Sequence, residues 1–138
     1  MKFSSRYKTA RCVLRFEDEF LLAIHSSFWA KTQKRWGLPG GNIERGEQPV
    51  ETVRRELEEE LELYLQHFTE IGSFYYKGHD HMVYGADVSE KFSNYDDTEL
   101  LALDWFSIAQ LQTMDTQRKF HAGYELQAVR QFIALADH

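Results

Sequence analysis

The chain from Gly41 to Leu63 reads GNIERGEQPVETVRRELEEELEL. Its second half carries three separate helix signals. Pro49 suits a first turn, where its missing N–H would be unpaired anyway. The residues after it are mostly Glu, Arg and Leu, all good helix formers. Val50, Val53, Leu57 and Leu61 recur every three or four residues, an apolar stripe that must face a core. A helix is predicted over Pro49 to about Leu63, entered from a loop that begins at Gly40-Gly41 and runs to Gln48.

The acids of this helix are arranged by the same arithmetic. With Glu56 as zero and about 100° per residue, Glu60 falls near +40° and Glu59 near −60°. The apolar stripe lies beside them, so the helix can bury it and aim three carboxylates along the edge of the core. Like charges at this spacing destabilise a helix by a few tenths of a kcal/mol per pair, and Arg54 and Arg55 offset only part of that. A divalent cation is the simplest compensation. Mg²⁺ binds through one or two carboxylates and completes its shell with substrate phosphates, and Mn²⁺ accepts the same oxygen ligands. A Glu run alone is also what a solvated helix face looks like, so the spacing in front of the helix has to separate the two.

Working outward, Tyr7 to Phe16 alternates. Ala10, Cys12, Leu14 and Phe16 lie against Arg11, Val13 and Arg15, which reads as a strand with one buried face. Phe20 to His25 is a short apolar run, a strand buried on both faces, and the two form a hairpin across Glu17-Asp18-Glu19. Ser26 to Arg35 reads as a loop carrying Lys31, Lys34 and Arg35. Trp36 to Pro39 is extended, because a proline biases the residue before it away from helix. Phe68 to Tyr76 and His81 to Val88 are strands around a Gly78-His79-Asp80 break, where His79 and His81 are candidates to face a site, against exposed turn histidines. Ser89 to Thr98 is a polar loop, and Leu100 to Phe106 a further strand. Ser107 caps a short helical turn ending at Leu111. Ala122 to Ala136 is a helix with Leu126, Val129, Ile133 and Ala136 on one face and Phe132 near it. Strands alternate with helices and hairpins, which suits an α/β (α+β) layering: a mixed sheet with helices on its faces.

The composition narrows the function. The 138 residues fit one domain, with 43% hydrophobic and 14% aromatic content suited to a packed core. A net charge of −6 argues against a nucleic-acid polymer as partner. It does not exclude a phosphorylated small molecule, since bound metal ions reverse the local sign. The lone Cys12 sits in an apolar strand and reads as a small core residue. No segment has the apolar core of a signal peptide or the length of a membrane span, so the expectation is a cytoplasmic protein that does not engage a membrane. A monomer and a homodimer are equally open.

The stretch from Gly41 to Leu63 resembles the signature box of the Nudix hydrolases. Gly41 is followed after five residues by Glu47, and seven residues later come Arg55-Glu56, then Leu57, Glu58, Glu59-Glu60, Leu61, Glu62 and Leu63. Every defined position matches except Glu62, where the box has glycine. The lead-in Leu38-Pro39-Gly40-Gly41 is also similar to the family's. The box covers 23 of the 138 residues. Glycine at its end lets a helix finish in a left-handed conformation, so with Glu62 the helix is expected to run on or to end differently.

The resemblance implies an α/β/α Nudix fold and Mg²⁺-dependent hydrolysis of a pyrophosphate bond in a nucleoside diphosphate linked to some group X. Glu56, Glu59 and Glu60 are the implied metal ligands, with the carbonyl of Gly40. The catalytic set is Glu59, Glu56 and Arg55, with Glu59 or Glu56 preparing the water. Glu99 and Asp104 are alternative places for that acid, against a solvated strand end. Gly41, Glu47 and Arg55 organise the loop, the last two as an ion pair, against direct contact with phosphate. Lys31, Lys34 and Arg35 are candidates for the outer phosphates, against a solvated loop. Trp36 and Trp29 are candidates for stacking on a base, against a place in the core. A nucleoside triphosphate or small nucleotide conjugate is favoured by the small size of the chain. The competing expectation is a Nudix fold that binds a ligand without turning it over, although all the box acids are present.

Overall fold

In the computed structural model, which describes residues 6–26 and 34–137, the sheet is built around β1 (Tyr7–Phe16). Ala10, Cys12 and Leu14 are fully buried in one core layer and Val13 in the other. The expectation of a single buried face therefore fails for β1. It is a central strand covered on both sides, and its arginines escape only toward the two ends. Arg15 leaves at one end, donating to Asp87 and Asp137.

The strand β2 (Glu19–His25) does return from β1 in a hairpin, but the two pair only near the tip, with Arg15 opposite Phe20 and Phe16 opposite Glu19. Beyond that they part, and residues 36–42 fill the opening. Ala23 and Gly37 exchange backbone hydrogen bonds of 2.9 and 2.8 Å, and the Cys12 N–H donates to the Pro39 carbonyl at 2.9 Å. The short β3 (Gly40–Asn42) then pairs antiparallel with β1, Gly41 opposite Ala10. The glycines expected to break the extended segment thus continue it. A Cβ on Gly40 would lie 2.3 Å from the Ala10 carbonyl oxygen, and its φ is 137°. Glycine is there because two backbones meet closely, not because the chain must turn.

The strands β4 (Thr69–Tyr76) and β5 (His79–Asp87) form the second hairpin. Its turn is Lys77-Gly78, with φ of 49° and 81°, the pair of positive values that matches the twist of adjoining strands. The break expected at 78–80 is therefore displaced, and His79 and Asp80 lie inside β5. The strand β6 (Leu100–Ser107) pairs with β2. The order is β4-β5-β1-β2-β6, with β1 and β5 parallel and the other pairs antiparallel.

The helix α1 (Pro49–Leu61) covers one face, packing Val53, Leu57 and Leu61 among Ala10, Cys12, Leu14 and Met82. On the other face lie α2 (Ile108–Thr116) and α3 (Glu125–Ala136), with Leu111, Met114, Leu126 and Phe132 among Val13, Leu22 and Val83. These are the expected α/β/α layers. Ser107 caps α2 through its side chain, accepting from the Gln110 N–H at 3.2 Å. The helix runs past Leu111 because Met114 supplies a second buried anchor one turn on. The start of α3 is at Glu125 rather than Ala122, because Gly123 at φ 102° cannot be helical. No helix of the described residues is long and apolar enough to cross a membrane.

The end of α1 contradicts the expectation for Glu62. The helix stops where a glycine would stop it, with Glu62 itself at φ 51°, ψ 37°. The Glu62 N–H donates to the Glu58 carbonyl at 3.0 Å and the Leu63 N–H to the Leu57 carbonyl at 3.2 Å. Leu63 packs against the core beyond the turn. Satisfied carbonyls and an apolar anchor outweigh the steric cost of a side chain there.

Candidate active site

The loop before α1 is tied to the helix by one guanidinium. Arg55 Nε donates to Glu47 Oε2 at 2.7 Å and Nη2 to Glu47 Oε1 at 3.1 Å, a two-pronged ion pair. Nη2 also reaches the Asn42 carbonyl at 3.2 Å. Glu47 accepts further from the Thr52 hydroxyl at 2.7 Å and the Glu44 N–H at 3.0 Å. The Arg55 hydrogen bonds hold the Glu47 carboxyl down at about 2, and Glu47 in turn raises the Arg55 pKa. Both residues are thereby fixed in charge and in direction.

The remaining prongs of Arg55 turn to the helix acids: Nη1 donates to Glu56 Oε1 at 3.0 Å and to Glu59 Oε2 at 3.4 Å. Glu56 lies directly over Gly41, where a Cβ would come within 2.5 Å of its Oε1. Burial, then the nearby Glu60 charge, push the Glu56 carboxyl up to about 7 against the pull of Arg55. Glu60 is 1% exposed. Its Oε1 accepts from the Gly40 N–H at 3.1 Å, and its Oε2 lies 3.1 Å from His25 Nε2. Glu59 is half exposed at the cleft mouth. The order of exposure follows their angles around α1, with Glu60 nearest the stripe and Glu59 farthest.

The three carboxylates face a cleft of about 1000 Å³ at one end of the sheet. Arg11, Arg35 and Lys77 also line it, as do His25, Tyr76 and His121. Glu99 is on the wall, held by the bond from the Ser26 N–H to its carbonyl at 2.8 Å. Arg11 Nη1 donates to the carbonyls of Gly40 at 3.2 Å and Leu38 at 3.4 Å. Burial, and then Arg11, His25 and Lys77, push the His121 imidazole down to about 4. A recess of about 230 Å³ opens beside the cleft and shares Arg11, His25, Asn42, Tyr76, Lys77 and His121 with it.

Other sequence candidates lie elsewhere. Asp104 is exposed on β6 opposite Leu22 and does not line the cleft. Trp36 packs edge-on against Phe106 at 5.1 Å beside the α2–α3 core. Lys34 is exposed and also off the cleft wall. Lys31 and Trp29 lie outside the described residues. The histidine reading divides: His79 is exposed, but His81 is 7% exposed, with Nδ1 2.7 Å from the Thr9 hydroxyl and Nε2 3.2 Å from the Tyr76 carbonyl. That correction follows from the position of His81 two residues inside β5, where Thr9 and the Tyr76 carbonyl close over its ring. Sequence reasoning did not find Arg11, His25, Tyr76 or His121. Each sits in a different segment, and only strand pairing brings them together.

The donor set suits a hard divalent cation in kind. It offers carboxylate oxygens beside a close-approach glycine, with a crowding of acids that raises Glu56 and that a cation would relieve. Among the described residues no three His, Cys, Asp or Glu side chains form a ready-made metal cage.

A model of the NUDIX domain matches residues 6–126. The chain belongs to the Nudix family. Its structural neighbours include a NUDIX hydrolase from Nitrosomonas europaea, 19% identical with a TM-score of 0.69, covering 94% of this chain and 90% of that one. The NUDIX domain of Shewanella oneidensis NrtR complexed with ADP ribose is 21% identical with a TM-score of 0.72, covering 97% and 90%. A UDP-X diphosphatase is 17% identical with a TM-score of 0.70, covering 100% of this chain and 67% of that one. At these identities the neighbours establish the fold. No curated protein matches. The family match, with Nudix hydrolases among the neighbours, supports a pyrophosphohydrolase. Nudix hydrolases generally use divalent metals.

Proposed function

We propose that this Nudix chain hydrolyses the pyrophosphate bond of a nucleoside diphosphate linked to X, with Mg²⁺, and with Mn²⁺ as a substitute. One observation carries the reading: Glu56, Glu59 and Glu60 open on the same cleft as Arg11, Arg35 and Lys77. A pyrophosphate needs that pairing, with acids to hold a cation and bases to meet the oxygens the cation leaves over. The neighbour with bound ADP ribose supports a small nucleotide as the class of ligand.

The roles follow the surroundings of each side chain. Glu56 and Glu60, one turn apart, are the ligands nearest the core, and the Gly40 carbonyl lies beside them. The bound cation would neutralise phosphate charge and acidify a coordinated water. Glu59 has the most solvent and only a long contact to Arg55, so it is the acid best able to take a proton from water, with Glu56 second and Glu99 across the cleft third. Arg55 holds the acids in register through Glu47 and does not need to touch phosphate. Arg11, central between cleft and recess, is the cation best situated for the phosphate chain.

A second reading, ligand binding without turnover, draws on one observation. The Gly40 carbonyl already accepts from Arg11, and Glu60 already contacts His25. One screen separates the two. Phosphorylated metabolites are incubated with Mg²⁺ or Mn²⁺, coupled to inorganic pyrophosphatase for triphosphates and to a phosphomonoesterase for conjugates. Metal-dependent release is expected, reduced on the order of 100-fold or more in Glu60→Gln. Binding without release across the panel establishes the second reading, and a fully active Glu60→Gln removes Glu60 from the metal set.

A further inference from the structure

One buried acid has no part in the reaction above. Glu125 opens α3 at 2% exposure. Its Oε1 accepts from the Gly123 N–H at 2.7 Å and its Oε2 from the Ala122 N–H at 3.0 Å. A carboxylate has about four acceptor positions, so these bonds, with the Glu125 N–H as a third backbone donor, leave part of its capacity unused. Among the described residues no arginine, lysine or histidine stands within ion-pair distance of it, and Arg11 acts on it only through the field of its charge. An acid buried with unused acceptor capacity is costly unless further donors reach it.

The place where donors can arrive is the recess of about 230 Å³, whose lining includes Glu125. That volume is below the roughly 300–1000 Å³ typical of a site for a drug-sized ligand. It admits one planar ring system and not a whole nucleotide. The walls suit a ring. Tyr76 and His121 have centroids 5.6 Å apart, and His81 and Tyr124 6.2 Å. The Tyr76 and Tyr124 hydroxyls have no protein partner among the described residues. The recess opens into the carboxylate cleft through residues common to both, Arg11 and Tyr76 among them. A ligand with its phosphates in the cleft therefore extends its ring toward Glu125.

We propose that the recess holds the base of the substrate, and that Glu125 accepts hydrogen bonds from two adjacent N–H groups on a planar heterocycle. Guanine carries such an edge. Adenine and cytosine set an amino donor beside a ring acceptor, and uracil flanks its single N–H with carbonyls. Those three bases leave the carboxylate with one donor or press an acceptor against it. The orientation rests on the pyrophosphohydrolase reading of the cleft, but the base preference is measured without turnover.

Calorimetric binding of GDP, ADP, CDP and UDP to the full chain with Mg²⁺ tests it. GDP is expected to bind about 10- to 100-fold more tightly than the others, the range of a charge-assisted hydrogen bond. 1-Methyl-GDP, which lacks one of the two donors, should fall to the level of ADP. Glu125→Gln should collapse the ranking while affecting ADP and UDP little, whereas a purely structural Glu125 would lower all four alike. Equal affinities across the bases overturn the proposal, as does full retention of affinity by 1-methyl-GDP. Both of those results need only the wild-type chain, so they decide even if the variant does not fold. GDP-selective binding with no metal-dependent release from any triphosphate or nucleotide conjugate upholds the recess and defeats the hydrolase reading. Hydrolysis with no base ranking does the reverse.

Discussion

Glu62 turns the chain out of α1 in a backbone conformation that favours glycine. A non-glycine residue there costs on the order of 1 kcal/mol or more, and the carboxylate gains nothing to offset it, since it points into solvent. Glu62→Gly is therefore expected to stabilise the protein by about 1 kcal/mol, seen as a rise of roughly 3–5 °C in Tm. An unchanged or lower Tm would show that the turn is not strained. Glu47 presents the opposite case. Its carboxyl is held at about 2 in the folded chain against an ordinary value of 4.5. The charged form is the one that folding favours. The stabilisation is complete above about pH 4.5 and drains away as pH falls through about 2. With the side chain 16% exposed, the linkage amounts to about 2–3 kcal/mol. Glu47→Gln should lose that amount at pH 7 in urea unfolding and show a flatter decline of stability between pH 5 and 2.

At the level of elements, Gly85 in β5 marks where α3 rests on the sheet. A Cβ there would stand 2.2 Å from Phe132 Cδ1, and Phe132 is 1% exposed with no room to retreat. Gly85→Ala is expected to cost about 1–3 kcal/mol of stability, while the cleft acids, which α1 carries on the opposite face, keep their arrangement. Chemical denaturation checks the first claim. Ligand affinity at a temperature where the variant is folded checks the second. What was legible in the sequence divides along the same line. The start of α1 and the common edge of Glu56, Glu59 and Glu60 follow from Pro49 and a period of 3.6 within one segment, so no other part of the chain was needed to read them. The cap at Ser107 was equally local. The strand β3 was not, because its glycines gain meaning only from Ala10 and Arg11, which are distant in sequence. The second buried face of β1 was hidden for the same reason, since it depends on which strands come to flank it. The exit at Glu62 differs from expectation because propensity alone does not include the partly buried Leu63 that packs on the core beyond the turn.

Across the whole molecule, the cleft collects its lining at one end of the sheet. Arg11 comes from β1, His25 from β2, Gly40 from β3, Tyr76 from β4, three acids from α1, and His121 from the link before α3. Acid and base counts along the chain did not foretell this, because the net charge of −6 conceals a cleft wall on which arginine and lysine face glutamate. The opening of the β1–β2 hairpin makes this possible. Had the two strands stayed paired along their length, Gly40 and Gly41 would have had no backbone to join and α1 no floor beneath its acids. The opening also bears on how the protein is made. A ribosome releases β1 long before β5, its parallel neighbour, exists. During that interval only the tip of β2 and the short β3 protect the middle strand of the future sheet. Such an unpaired strand invites wrong partners, so the geometry that later receives substrate is also the nascent chain's period of greatest exposure to aggregation.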